Sequence, residues 1–390
     1  MVSLDVIPTH RPDHSAHGLA SELTQRLILD GTKINWHLDR VQAWERGERI
    51  APITIDMALT RACNYACGFC YATLQENERE TITTDVAFRF LDDCAELGVR
   101  GISLVSDGES TLSPAYLPMI RRGAELGISM ASGTNAYIFN PRKLEEVLPH
   151  LTYLRVNFSA GTRDRYAQIM GCKPEAFDRV VQNVRDMVAI KRRDKLAVTI
   201  GLQMVLMPQD GDQILPFAEL GKQLRPDYAV IKHCSDDENG SLGVDYRKYA
   251  GLYDLLRQAE ALSDHEYSVV VKWSKIEQGN RRSYQRCYGA PFMLQISGSG
   301  LVAPCGMLFN ERYKRFHAGN IVTERFRDIV RSDRYWEIMN HLASPDFNAQ
   351  TMCGSLCLQH KVNEYLDEHM KGRLPLESPT GPPPQHINFV

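Results

Sequence analysis

The stretch Cys63-Asn64-Tyr65-Ala66-Cys67-Gly68-Phe69-Cys70 sets three cysteines apart by three and then two residues, directly after the apolar run Ile53–Leu59. That run is short, bounded and rich in isoleucine, which reads as a strand. A loop at the C-terminal end of a parallel strand opens onto the face where α/β folds place their chemistry. Three thiolates can hold three irons of a four-iron cluster and leave the fourth iron free for a chelating ligand. A zinc knuckle closed by a neighbouring histidine such as His37 is the competing reading, although the loop itself supplies no fourth ligand.

Downstream, short apolar runs alternate with amphipathic segments. Strands are predicted at Gly101–Ser106, Ile128–Gly133, Tyr153–Ser159, Val198–Leu206 and Tyr228–Lys232, and helices near 84–97, 114–126, 175–192 and 246–262. Such alternation builds parallel βαβ units. Six strands, counting Ile53–Leu59, predict a partial or open α/β barrel over residues 51–264. Gly101, Gly127 and Gly201 fall at or near strand starts, where turns need a permissive backbone. Residues 1–50 read as a helical lead-in, with apolar residues three to four apart in Leu19–Leu29 and Leu38–Trp44. Beyond about residue 265 come short strands, Phe292–Ser297 and Leu301–Pro304, then helices near 323–343 and 353–369, which predicts a separate smaller module over 265–373. The tail, residues 374–390, contains Pro375, Pro379, Pro382, Pro383 and Pro384 and is expected to be flexible or draped over the surface.

The 390 residues carry 45 basic and 48 acidic side chains, a net charge of −3, so the whole chain offers no electrostatic footprint for nucleic acid or an anionic membrane. A small or locally recognised substrate fits better. With 43% apolar and 24% charged residues the composition supports a core of its own. No apolar run approaches the roughly 20 residues that span a bilayer, and Met1 to His10 lacks a secretory apolar region, so a cytoplasmic location is expected. Ten cysteines in that compartment point to metal chemistry rather than disulfides.

A second set comprises Cys287, Cys305, Cys353 and Cys357. A hairpin turning at Gly298-Ser299-Gly300 brings Cys287 and Cys305 together, while Cys353 and Cys357, four apart on a helix start or turn, face the same way. Four thiolates can coordinate one four-iron cluster completely, and a four-cysteine zinc site has the same spacing. His360 is a conceivable alternative ligand, but beside Gln359 on a polar helix face it is expected to meet solvent.

The three-then-two spacing, with Phe69 just before the last cysteine, resembles the radical S-adenosylmethionine (radical SAM) superfamily; the second set resembles the Twitch domain, the shortened form of the SPASM module that follows the barrel in some members. The resemblance covers roughly residues 50–365. It implies a partial (β/α)6 barrel with a small C-terminal α+β domain. It also implies a [4Fe–4S] cluster on Cys63, Cys67 and Cys70 that binds S-adenosylmethionine, and one auxiliary [4Fe–4S] cluster on Cys287, Cys305, Cys353 and Cys357. If Cys305 or Cys353 left an iron open, substrate could bind the auxiliary cluster directly. In the superfamily, an electron from a flavodoxin- or ferredoxin-type donor cleaves the cofactor to a 5′-deoxyadenosyl radical that removes a substrate hydrogen atom.

Superfamily members set an acidic, glycine-rich turn against the cofactor's amino group; the matching stretch is Ser106-Asp107-Gly108-Glu109-Ser110, in which Asp107-Gly108 replaces the usual glycine pair and Glu109 is the expected ammonium contact. Asn157 and Ser159 at the end of the fourth strand match the ribose contacts, though a strand-end cap reads the same way, and Gln203 on the fifth matches an adenine contact. Lys232, His233 and Cys234 close the sixth strand, where a substrate-facing base or hydrogen donor belongs, or where ordinary loop residues sit. Of the remaining cysteines, Cys94 reads as buried helix packing, and Cys172 and Cys234 as loop thiols that either return a hydrogen atom or are structurally indifferent.

Four auxiliary cysteines and about 50 residues before the first strand fit poorly with the fuller cysteine arrays and N-terminal recognition domains of peptide-modifying relatives. The resemblance therefore implies oxidation, dehydration or epimerisation of a carbohydrate, aminoglycoside or nucleoside-like metabolite, with Lys232 or His233 as base and the auxiliary cluster as electron acceptor. The alternatives are a peptide-modifying radical enzyme and a zinc-stabilised binding protein without chemistry.

Overall fold

The computed structural model describes residues 31–78, 80–279 and 281–390; the predicted helix over Leu19–Leu29 lies outside them. Seven parallel strands, β1 (Thr54–Met57), β2 (Gly101–Leu104), β3 (Ser129–Thr134), β4 (Tyr153–Asn157), β5 (Thr199–Leu206), β6 (Tyr228–His233) and β7 (Ser268–Val271), pair in sequence order. On the outer edge of β1 lie β8 (Met293–Ile296), β9 (Leu301–Ala303) and β10 (Gly319–Asn320), giving the order β10-β9-β8-β1-β2-β3-β4-β5-β6-β7. β7 and β10 end the sheet without pairing to each other, so the barrel is partial. Around it pack α1 (Leu38–Glu45), α2 (Thr84–Leu97), α3 (Tyr116–Glu125), α4 (Pro141–Val147), α5 (Arg163–Met170), α6 (Glu175–Asp194), α7 (Ile214–Leu224), α8 (Tyr253–Glu260) and α9 (Trp273–Gln278), followed by α10 (Phe326–Arg331), α11 (Asp333–Ala343), α12 (Ala349–Met352) and α13 (His360–Met370). Among the described residues no helix is long and apolar enough to cross a membrane.

Alternation along the strands separates two faces. Ile55, Ile102, Leu104, Leu154, Val156, Ile200 and Leu202 are fully buried against the helices. The opposite face carries Asp56, Ser103, Tyr153, Arg155, Asn157, Gln203 and Lys232 into the barrel lumen, where Ser103 Oγ and Tyr153 Oη lie 2.9 Å apart. Local signals set the helix ends: Thr83 Oγ1 accepts from Val86 N at the start of α2, and Gly98, at φ +74°, closes it in the left-handed conformation.

Four expectations change. First, the cysteine-bearing hairpin is joined to the barrel sheet, because β8 pairs in parallel with β1, Thr54 opposite Met293 through Met57 opposite Ile296. Second, that sheet reaches a seventh strand beyond residue 264. Third, the long predicted helices are broken. Residues 246–262 hold a 3-10 turn before α8, Ser332 ends α10 and caps α11, and Cys353 to Gln359 lies outside the flanking α12 and α13.

Fourth, the end of the tail is buried rather than draped over the surface. The proline stretch is exposed, but His386, Phe389 and Val390 are buried at the N-terminal ends of the strands. There Thr54 Oγ1 donates to Asn388 O at 2.7 Å, Asn388 Nδ2 reaches Ser129 Oγ at 2.9 Å, and Gln385 Nε2 reaches Thr199 Oγ1 at 2.8 Å. A Cβ on Gly101 would lie 2.6 Å from Asn388 O, so that glycine makes room for the tail. The tail thus closes the floor of the barrel, and apolar residues placed after the prolines make it bind.

Candidate active site

The cysteine loop hangs between two anchors at the mouth of the barrel. On one side Glu109 N donates to Ala62 O at 2.9 Å and Leu59 N to Ser110 Oγ at 3.1 Å, fastening it to the turn after β2. A Cβ on Gly108 would meet Thr60 O at 2.0 Å, so only glycine allows this approach. On the other side Ala66 N donates to Gly171 O at 3.2 Å and Gly68 N to Ile169 O at 3.1 Å. Gly171, at φ +58°, caps α5, and a Cβ there would fall 2.0 Å from Ala66 O. Tyr65 wedges between Tyr137 and Tyr166, with ring centroids 6.0 and 6.3 Å away. Cys63 is exposed, and Cys67 and Cys70 are half-buried. Burial, then the neighbouring thiols, raises the Cys67 pKa; burial also raises Cys63, whose sulfur accepts from Tyr65 N at 3.4 Å. His37, the histidine weighed for a zinc knuckle, is not beside this loop: its Nε2 lies 3.1 Å from Ile387 O, at the barrel floor.

The turn after β2 is tied down by its own carboxylates. Glu109 Oε1 accepts from Thr111 Oγ1 at 2.6 Å and Thr134 Oγ1 at 2.7 Å, and Oε2 accepts from Asn135 N at 2.8 Å. Burial raises its pKa while these bonds oppose the rise. A carboxylate has about four acceptor directions, so Oε2 keeps capacity for one more donor. Asp107 points elsewhere than expected. Its Oδ2 accepts from Ser297 Oγ at 2.5 Å and its Oδ1 from Gly298 N at 2.8 Å, with Arg61 Nε 3.3 Å away. The pairing of β8 with β1 brings the hairpin turn against it, which makes Asp107 a strut rather than a ligand contact.

Within the barrel, Gln203 Nε2 donates to Asn157 Oδ1 at 2.9 Å, so these two polar groups form one patch. Ser159 Oγ accepts from Val205 N at 3.1 Å and is fully buried, so it caps a strand end. Lys232 and His233 lie on opposite faces of β6. Lys232 lines a lumen cavity with Tyr153, Arg155, Gln203 and Tyr228, and burial followed by Lys275 and Arg155 lowers its pKa to about 7. His233 packs outward against Tyr246 and Tyr249, with Nδ1 2.6 Å from Cys234 O and its pKa lowered to about 3, mainly by burial. That placement removes it from the lumen as a base. Cys234 is buried beside the cysteine loop, its Sγ 3.9 Å from Phe69 O. Cys172 lies on the loop's other flank, near Tyr65 and Cys67. Cys94 is fully buried within α2, as its pattern indicates.

The second set assembles from three distant segments. Cys287, Cys305, Cys353 and Cys357 line one largely apolar cavity with Met307, Leu342 and Phe347. Burial pushes the Cys287 thiol up to about 12. Asn363 Nδ2 donates to Cys287 Sγ at 3.4 Å, and Tyr284 Oη lies 3.5 Å from Cys357 Sγ. His360 is buried rather than solvent-exposed. Its Nδ1 is 3.0 Å from Tyr284 Oη and its Nε2 2.8 Å from Gln278 Oε1, so it orients the tyrosine and leaves no nitrogen for a metal. Among the described residues no three His, Cys, Asp or Glu side chains converge on one ion-sized site. Thiolates bound to separate irons of a cluster need not converge in that way.

Sequence reasoning missed Asp56 and Arg155 in the lumen and Tyr284 and Asn363 around the second cysteine set. The isolated aspartate in Thr54-Ile55-Asp56-Met57 and the arginine alternating with apolar residues in β4 were the available signals.

Similarity agrees with this geometry. The chain matches the Radical SAM superfamily over residues 57–220 and the SPASM iron-sulfur cluster-binding domain over residues 287–357, the latter beginning and ending on cysteines of the second set. An AdoMet-dependent heme synthase of Methanosarcina barkeri is 23% identical over 80% of this chain and 90% of its own. An S-adenosylmethionine-dependent nucleotide dehydratase of Pseudoalteromonas ulvae is 26% identical over 29% of this chain and 42% of its own. Streptococcus suis SuiB shares the fold, with TM-score 0.60 and 16% identity over 82% of this chain and 76% of that one when bound to S-adenosylmethionine. Bound to its precursor peptide SuiA, it superposes with TM-score 0.59 and 14% identity over 91% of this chain and 81% of that one. A radical SAM domain carries a [4Fe–4S] cluster and S-adenosylmethionine, a SPASM domain carries auxiliary iron–sulfur centres, and a thiol-rich donor set occupies each region here. The chain is a radical SAM enzyme with a C-terminal SPASM domain.

Proposed function

We propose that Cys63, Cys67 and Cys70 hold the cluster that binds S-adenosylmethionine, and that the enzyme abstracts hydrogen from a small metabolite seated in the barrel lumen. One observation carries this reading: a cavity lined by Tyr153, Arg155, Gln203, Tyr228 and Lys232 lies inside the barrel, and its β6 wall ends at Cys234, against the cysteine loop. An enclosed site suits a small molecule better than a peptide laid across the mouth. The names of the heme synthase and the nucleotide dehydratase point the same way.

In this reading Gly108 lets the turn after β2 lie against the cysteine loop, Oε2 of Glu109 takes the cofactor's ammonium, and Asn157 with Gln203 meets the nucleoside part. Lys232, which shares the lumen, handles the proton of an oxidative outcome, and Cys234 is the thiol placed to return a hydrogen atom in an epimerisation. Cys287, Cys305, Cys353 and Cys357 hold one auxiliary cluster. A flavodoxin- or ferredoxin-type protein supplies the electron.

The test uses the full chain reconstituted anaerobically with iron and sulfide, reduced with dithionite, and scored for 5′-deoxyadenosine against panels of nucleotides, aminosugars, tetrapyrroles and peptides. Stimulation by one small-molecule class is the expected result. Stimulation by peptides alone replaces the substrate reading with a peptide one, and no 5′-deoxyadenosine under any condition overturns the assignment of the first three cysteines.

A further inference from the structure

The second cysteine set has a charged flank. α9 leaves β7 with Lys272 N donating to Ile231 O at 2.9 Å and packs along β6. Ile276 of this helix is buried in the core, and Trp273 Nε1 donates to Glu260 Oε2 at 2.9 Å. With the helix so fixed, the half-buried Lys275 lines a small cavity together with Ser355, Cys357 and His360. Arg282 lines the same cavity. Its guanidinium spans the turn between the last two cysteines, Nη1 donating to Cys353 O at 3.3 Å and Nη2 to Gly354 O.

Two cations therefore flank Cys357, one from each side of the cavity. The other basic groups contribute less. Burial lowers the pKa of His233 and of His360, so both rings are neutral at neutral pH. Arg281 is exposed and turns back on its own chain, Nη2 donating to Glu277 O at 2.8 Å. The half-buried carboxylate on this flank, Glu364, meets Lys361 Nζ at 2.7 Å and lies 3.4 Å from His360 Nε2, while Glu277 is exposed. Burial lowers the Lys275 pKa; of the charged groups that act on it most, Arg155, Arg282 and Lys361 repel its ammonium and the Cys357 thiolate attracts it.

A four-iron cluster on four thiolates carries net negative charge in both oxidation states and gains one more on reduction. A fixed positive charge beside it favours the reduced form and raises the potential, the more so where water is scarce. We propose that Lys275 is a positioning residue for the second cluster, setting its reduction potential through the charge it holds against Cys357. The proposal rests on the assignment of Cys287, Cys305, Cys353 and Cys357 to one auxiliary cluster. It adds a group outside the cysteine set and outside the SPASM match, carried by the helix that follows the last barrel strand.

The test is an anaerobic redox titration of the reconstituted full chain, followed by electron paramagnetic resonance. The Cys67→Ala background leaves the second cluster as the reporter. Lys275→Met is expected to lower the ratio of reduced to oxidised cluster at a fixed potential by about tenfold, a downward shift of about 59 mV for one electron. Lys275→Arg should keep the parent value, and Arg281→Gln, at an exposed position, should move it less than Lys275→Met does. A purely structural lysine would leave the potential of the bound cluster where it was. Should Lys275→Met fail to hold iron, Lys275→Gln is read in its place. About four irons with an unchanged potential in the neutral variant overturns the proposal alone. Absence of iron from the Cys67→Ala parent overturns the cluster assignment and the proposal with it.

Discussion

The two cysteine sites are built on opposite plans. The first is contiguous in sequence, hung from backbone hydrogen bonds at the barrel mouth, with Cys63 exposed and three thiols in all. The second draws Cys287, Cys305, Cys353 and Cys357 from segments up to seventy residues apart into an apolar cavity, where Asn363 and a Tyr284–His360 pair reach two of the sulfurs. A set of three with one exposed thiol suits a centre that must admit an exogenous ligand; a set of four gathered in an apolar cavity suits one that exchanges electrons with little contact with solvent. The two sites share one strand, since the first loop follows β1 and β8 locks the second module to that same strand.

The largest expected effect separates the sites directly. Cys67→Ala is expected to abolish 5′-deoxyadenosine formation and the cofactor-induced spectral change, while roughly four irons remain bound at the second site. Cys305→Ala should reverse the pattern, keeping the cofactor response and losing the other cluster. It should also lower the melting temperature of the holoenzyme, because ligand binding by a buried thiolate set is folding free energy. Iron content, paramagnetic resonance and thermal melts decide between these outcomes; loss of both clusters in either variant would break the distinction.

A smaller effect concerns the charge beneath the open site. Asp56 titrates near 7 in the folded chain, against about 3.9 when unfolded. The folded state therefore binds the extra proton between those values. The contribution to stability is full below about pH 4 and is lost as pH rises through about 7. Asp56→Asn removes the titration, so the variant should gain on the wild type across that window by up to roughly 4 kcal/mol and hold the gain above it. Denaturant unfolding at several pH values measures this difference, and a constant offset between the two proteins would contradict it.

Much of the fold and of the first site was legible because the signal is local. Strand–loop order and the three-then-two spacing survive without knowledge of contacts, and β1 to β6 lie where the apolar runs indicated. The rest depended on partners distant in sequence. α7 carries Pro216 and Gly221, poor helix formers, yet Gly221 makes room for Tyr267, whose hydroxyl donates to Ala218 O at 3.0 Å. The lumen charges were hidden because both faces of a parallel strand are covered, so the alternation in β1 and β4 did not tell which face lines a cavity. The tail was misread from composition, since the proline stretch is exposed and three buried residues, His386, Phe389 and Val390, decide its path.

Gly171 tests how tightly the open site is held. Alanine there would carry a Cβ to within 2.0 Å of Ala66 O and occupy φ +58°, which side chains other than glycine resist. Gly171→Ala should cost about 1–3 kcal/mol of stability and weaken S-adenosylmethionine binding by displacing the loop, with the second cluster's spectrum unchanged. Equilibrium unfolding and cofactor titration read the two effects separately. Unaltered cofactor affinity would mean that the α5 cap does not set the position of the cysteines.

The finest test lies in the enclosed site. Tyr284 Oη sits 3.5 Å from Cys357 Sγ and 3.0 Å from His360 Nδ1, and His360 Nε2 reaches Gln278 Oε1. Burial lowers the His360 pKa, so the ring is neutral at neutral pH and carries one proton, on either nitrogen. If that proton faces Gln278, Nδ1 accepts the tyrosine hydroxyl and the thiolate receives no hydrogen bond from it. If the proton sits on Nδ1 and the Gln278 amide turns to donate its NH2 to Nε2, the ring donates to the tyrosine oxygen and the hydroxyl is free to donate to sulfur. A hydrogen bond to a thiolate favours the reduced cluster, so its removal shifts the potential downward. Tyr284→Phe is therefore expected to lower the second cluster's potential, in anaerobic titration, only in the second arrangement, and His360→Asn should then move it the same way. An unchanged potential in Tyr284→Phe would assign the proton to Nε2 and reduce the pair to packing around the cluster. In either case the cofactor response at Cys63, Cys67 and Cys70 should stay as in the wild type, since none of these groups touches that loop.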